Sequence, residues 1–130
     1  ELMCRPAPPT ALVFAVDMAA LGAYPAAQEL GLRIGNDLSV ISYDGIPECA
    51  WVQPRLTSFS VDSTIAGRRL AELLIRHVRG EDPKTLRETA RATLSPGGSD
   101  GPPQKTSDEI AQHIRASETM TSCQPMGGNA

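Results

Sequence analysis

Aromatic side chains are scarce in this chain: two Phe, two Tyr and one Trp make up 4% of its 130 residues. Any core must therefore be assembled from Ala, Leu, Val and Ile, and a hydrophobic content of 41% suffices for one ordinary domain. An excess of positive charge is missing as well. Twelve Lys and Arg stand against 15 Asp and Glu, a net charge of −3, which argues against a nucleic-acid-binding surface because phosphate contacts need clustered cations. No apolar run approaches the roughly 20 residues of a membrane span. The first residues, Glu1-Leu2-Met3-Cys4-Arg5-Pro6, show neither the basic nor the apolar region of a signal peptide. Cys4, Cys49 and Cys123 lie far apart, with no CxxC pair and no His at metal-ligand spacing. An odd count without a framework suits a reducing compartment. These absences predict a soluble, cytoplasmic protein with no metal site, whose partners are small solutes and protein rather than membrane.

Catalytic signatures are also lacking. There is no GxSxG, no P-loop and no GxGxxG after the first strand, so neither a cofactor nor an enzymatic activity is expected. Asp17 and Asp44 could pair as acid and base, but no nucleophile or histidine accompanies them in the crevice. His77 and His113 read as ordinary surface or core histidines.

What the chain does contain is a strand–helix–strand unit over 9–45. Ala11-Leu12-Val13-Phe14-Ala15-Val16 is an apolar, partly β-branched run that ends at Asp17, and Leu38-Ser39-Val40-Ile41-Ser42-Tyr43 is a second that ends at Asp44. A helix is predicted over 18–30, with Asp17 placed to cap it and Gly31 to end it in a left-handed conformation. Pro25 removes an internal hydrogen bond, so this helix should kink or split near 23–24. In an open α/β sheet, ligands bind outside the carboxyl ends of the strands. Asp17 and Asp44 both stand at such ends.

Further along, 48–53 reads as a short helix carrying Trp51 and Val52, and 56–61 as a strand. Asp62 or Ser63 then caps an amphipathic helix over 64–79. Its apolar residues Ala66, Leu70, Leu73, Leu74 and Val78 recur at three- and four-residue spacing, and Gly80 stops it. A last strand falls within 85–95. Residues 95–103 carry turn and linker chemistry, 107–116 form a marginal helix with Ile110, Ala111 and Ile114 on its apolar side, and the last dozen residues read as disordered.

Seven segments in register resemble the effector-binding core of the lactose-repressor (LacI/GalR) family of bacterial regulators. They are Pro9-Thr10-Ala11, Asp17-Met18-Ala19-Ala20-Leu21-Gly22-Ala23, Glu29-Leu30-Gly31-Leu32-Arg33-Ile34, Asp37-Leu38-Ser39-Val40-Ile41, Tyr43-Asp44, Pro54-Arg55-Leu56-Thr57-Ser58 and Ala66-Gly67. The match covers about 6–103 and corresponds to the second half of a family member. The resemblance implies an α/β fold, an incomplete periplasmic-binding-protein-like (type I), Rossmann-like parallel sheet with flanking helices. Residues 6–103 would form a partial effector-binding and dimerisation domain, and 104–130 a polar, disordered tail.

By the same resemblance the chain is a truncated regulator piece whose partners are a sugar-like, hydroxylated effector and a second copy, with DNA reached only through an N-terminal helix-turn-helix domain that is not part of it. In an intact relative the effector would close two lobes and shift the population between DNA-bound and released states. A fragment of a periplasmic-type solute-binding protein is the alternative. Asp44 takes the place of the family carboxylate that accepts from ligand hydroxyls; on the residues alone it reads first as a turn cap. Val16 stands where the family has Asn, leaving Asp17 as ligand contact or helix cap. Val61 and Ser63 take the positions of the polar and aromatic residues that cover the ligand, and offer no aromatic face. Trp51 and Val52 fall where the family places part of its dimer interface, with core packing as the other reading. The apolar stripe of the 64–79 helix belongs to a lobe whose sheet this chain does not supply.

Overall fold

The computed structural model describes residues 2–117. Four strands form one mixed sheet in the order β1-β2-β3-β4. β1 (Ala11–Val13), β2 (Ser39–Tyr43) and β3 (Thr57–Ser60) are parallel, with Leu12 opposite Val40 and Ser42 opposite Ser58. β4 (Thr93–Ser95) runs antiparallel to β3 and pairs Leu94 with Phe59. A parallel sheet was expected, and β1, β2 and β3 form one, with an antiparallel strand at the edge. The edge strand departs from this because the chain leaves β3 into a helix and re-enters the sheet at that same end, which places Thr93 beside Ser60.

The first predicted helix is split, as Pro25 required. α1 (Asp17–Leu21) and α2 (Ala23–Glu29) meet at Gly22, and Pro25 sits in the first turn of α2, where its missing N–H leaves no carbonyl unpaired. Gly31 follows with φ +65°. A 3₁₀ turn over Pro47–Ala50 replaces the short helix expected at 48–53. α3 (Ser63–Val78) is capped by Asp62, which accepts from the Ile65 amide at 2.9 Å. α4 (Ser107–Ala116) begins with a capping box between Thr106 and Glu109.

The core lies around α1, α2 and β2. Ala20, Ala27, Leu32, Ile34, Leu38, Val40 and Leu56 are buried with Ile110 and Ile114 of α4. α4 is the helix expected at 107–116: Ile110, Ala111 and Ile114 repeat at the spacing that puts them on one face, and that face closes the core, so 107–116 pack with the domain rather than trail from it. The rest of the predicted tail, from 118, lies outside the described residues.

Residues 95–103 are likewise more than a linker. Ser99 is fully buried; its amide carbonyl accepts from Val40 N at 2.8 Å, while its hydroxyl donates to Val40 O at 2.6 Å and accepts from Thr57 N at 2.8 Å. Gly97 permits this close approach, because a Cβ there would strike the Arg55 carbonyl. α3 is the opposite case. None of its sixteen residues is buried, and Leu70, Leu74 and Val78 are 70%, 60% and 79% exposed. The stripe read from the sequence is real and largely exposed; among the described residues only 88–93 border it, across a cleft.

Candidate functional site

The parallel order of β1, β2 and β3 brings their carboxyl ends to one edge of the sheet, and the predicted site residues fall there. Val16 is the N-cap residue of α1 and is about half exposed, Asp44 follows β2, and Ser63 opens α3 just after β3. Asp44 is exposed, and its carboxylate accepts no hydrogen bond among the described residues. It therefore does not cap the following turn, the alternative that the sequence left open. Its backbone N–H donates to Phe59 O at 2.8 Å, and its φ of +142° is a conformation that side-chain-bearing residues rarely adopt. Such strain is retained where surrounding contacts enforce it. Gly45 comes next with φ +76°, packed so closely that a Cβ would overlap Ser60.

Asp17 does something that neither sequence reading anticipated. It is the first residue of α1 rather than its cap, it is fully buried, and its side chain turns inward. One oxygen accepts from the hydroxyls of Ser42 and of Ser58 (2.6 Å), the other from the amides of Gly45 (2.6 Å) and Ile46 (2.8 Å) and from the Cys49 thiol (3.1 Å). Burial pushes its pKa up, but the donors on Ser42, Ser58, Ile46 and Cys49 outweigh this and hold it at about 2. The same desolvation, with the Asp17 charge, raises the Cys49 thiol to about 11, so Cys49 is a buried, protonated donor. Asp17 is thus sealed from the crevice. The sequence signal that was available is the pair of hydroxyls, Ser42 and Ser58, placed within otherwise apolar strands.

A cleft of about 410 Å³ opens between α3 and residues 88–93 at the carboxyl end of β3, lined by Ser60, Val61, Asp62, Ile65, Leu70 and Arg91 among others. Of its cations, Arg69 pairs with Glu72 and Glu88; outside the lining, Arg76 pairs with Glu81 at 2.7 Å. Asp44, Val16 and Ser63 lie outside its lining. Trp51 is 76% exposed and so is not a core residue, whereas Val52 is half-buried against the core.

A second buried carboxylate, Asp37, binds Arg33 (3.1 Å) and Lys105 (3.4 Å) on the opposite side of the strand unit. The Arg33 guanidinium holds its pKa at about 2. His77 and His113 face the backbone carbonyls of Glu81 and Gly31. No group of three or more His, Cys, Asp or Glu that could hold a metal occurs among the described residues, and no helix among them is long and apolar enough to cross a membrane.

The chain has relatives among known proteins. The profile of the family described as "Periplasmic binding protein-like domain" matches residues 1–99. The lactose operon repressor of Escherichia coli K12 is 30% identical over 122 residues, covering 89% of this chain and 34% of the repressor. A LacI family regulator from Bifidobacterium animalis superposes with a TM-score of 0.69 at 28% identity, over 78% of this chain and 37% of that one. Another from Enterococcus faecium, solved with bound ribose, gives a TM-score of 0.58 at 28% identity over 72% and 35%. The chain thus spans about a third of the length of the curated repressor it matches. The chain belongs to the periplasmic binding protein-like family, and these relatives are LacI-type regulators.

Proposed function

We propose that this chain supplies part of the effector site of a LacI-type regulator, and that Asp44 accepts hydrogen bonds from the hydroxyls of a small, sugar-like ligand. The observation that carries this reading is an exposed carboxylate with no protein partner among the described residues, set on a strained backbone at the carboxyl end of β2. A carboxylate accepts from two neighbouring hydroxyls at once, and such charge-assisted bonds are short and strong. Val16 and Ser63 flank it on the same edge and supply shape rather than charge. Asp17 belongs to the support of the site and not to its ligand surface.

The chain acts by binding and not by catalysis: Asp17, the second carboxylate that an acid–base pair would need, is engaged by five donors. Its net charge of −3 and the pairing of Arg69 and Arg76 with glutamates leave operator contact to other parts of such a regulator. Trp51, the most exposed aromatic residue here, together with Val52, is the surface through which two copies would associate.

Calorimetric titration with ribose tests the ligand role. Asp44→Ala should weaken binding by about 1.5–3 kcal/mol, the range for a hydrogen bond to a charged group. Equal affinities for the two proteins would remove Asp44 from the site.

A further inference from the structure

The Asp44–Gly45 turn cannot hold itself. Asp44 has φ +142°, Gly45 has φ +76°, and within the turn no side chain bonds back to these two residues. What holds it comes from elsewhere in the chain. On one side Asp44 N donates to Phe59 O of β3. On the other, two successive amides, Gly45 N and Ile46 N, both point at one oxygen of Asp17, at 2.6 and 2.8 Å, with Ser58 Oγ a longer second acceptor for Gly45 at 3.2 Å. Consecutive N–H groups converging on an anion form a small concave nest of positive dipoles. The carboxylate that fills this one belongs to the protein.

We propose that Asp17 is the positioning residue of this site: its buried carboxylate fixes the Asp44–Gly45 turn and ties it to the start of α1. This rests on the reading of Asp44 as the ligand contact. The geometry of Asp17 goes beyond what packing requires. Its other oxygen takes the hydroxyls of Ser42 on β2 and Ser58 on β3, so the carboxyl ends of two strands, the turn between them and the first residue of α1 converge on one group. Displacing α1 against the sheet would carry the Gly45 and Ile46 amides with it, and Asp44 next to them. The site's ligand-facing carboxylate is thereby coupled to a helix that does not itself touch the ligand.

Residue-resolved amide exchange on the whole chain tests this without any ligand. In Asp17→Ala, exchange at Gly45 and Ile46 should accelerate roughly tenfold or more, the worth of one bond to a charged acceptor. The amides of Val40 and Leu56, held by Ser99 and Cys49, should keep their protection. Ser42→Ala, which empties only the far side of the carboxylate, should leave Gly45 and Ile46 protected. If Asp17→Ala does not fold, Asp17→Asn keeps the shape and one acceptor; the Gly45 and Ile46 amide protons should then show the largest upfield shifts in the spectrum. Unchanged protection in Asp17→Ala, an acceleration spread evenly over the core, or Asn spectra with no distinct change at these two amides would each overturn the proposal. Ribose titration of the same variants separates the two readings. If Asp17→Ala frees the turn but Asp44→Ala binds ribose as the unmodified chain does, the positioning role stands and the ligand role of Asp44 fails.

Discussion

Truncating Leu70 to Ala should scarcely destabilise this chain, although Leu70 lies on the most regular apolar stripe in the sequence, whereas truncating Leu56 should come close to unfolding it. Leu56 is 1% exposed within the core, and a buried Leu→Ala change costs about 2–5 kcal/mol through lost transfer energy and the cavity left behind. Leu70 is 70% exposed. Full burial of a leucine is worth roughly 1.5–3 kcal/mol, so a side chain with under a third of its surface hidden contributes about 0.5–1 kcal/mol. Alanine's better helix propensity returns a few tenths of a kcal/mol of that. Urea unfolding of both variants at two protein concentrations tenfold apart measures the difference. A Leu70→Ala loss as large as that of Leu56→Ala would refute the largely exposed α3 described above. If that loss came with a midpoint that rises with protein concentration in the unmodified chain, the face would be covered by a second copy; without such a rise, α3 would have folded back onto the sheet.

Gly97→Ala should cost about 2 kcal/mol or more, since its Cβ would overlap the Arg55 carbonyl and the Leu56 backbone, while Gly67→Ala, with open space around it in the middle of α3, should gain about 0.5–1 kcal/mol; thermal unfolding of the two variants reads both signs. Asp37 titrates near 2 in the folded chain against an ordinary 3.8, so it stabilises the fold above about pH 4 and loses that contribution as pH falls toward 2. Asp37→Asn should cost about 2 kcal/mol near neutrality and flatten the acid limb of the stability–pH curve. An acid limb unchanged by Asp37→Asn would show that the Arg33 and Lys105 pairs contribute nothing.

Local order was legible wherever neighbours along the chain decide it. The period of apolar residues set α3 to within a residue at each end, Pro25 and Gly22 split the first helix, Gly31 ended it, and Ile110, Ala111 and Ile114 marked the buried face of α4. The two apolar runs ending at Asp17 and Asp44 marked β1 and β2 and the carboxyl edge of the sheet beyond them. These features follow from backbone propensities and side-chain spacing, which act over three or four residues.

Other features depended on groups brought together from far apart. Asp17 looked like a helix cap or a ligand contact, because the hydroxyls, amides and thiol that claim it are 25 to 41 residues away. Ser99 sat in a stretch with the composition of a linker, yet it bonds to Val40 and Thr57 across separations of 59 and 42 residues. Asp44, at φ +142°, is bonded through its amide to Phe59, fifteen residues along the chain. The sequence by itself determined the elements, their apolar faces and the family; tertiary structure decided which carboxylate faces solvent and which is enclosed, because that choice depends on where distant donors converge once the strands are paired.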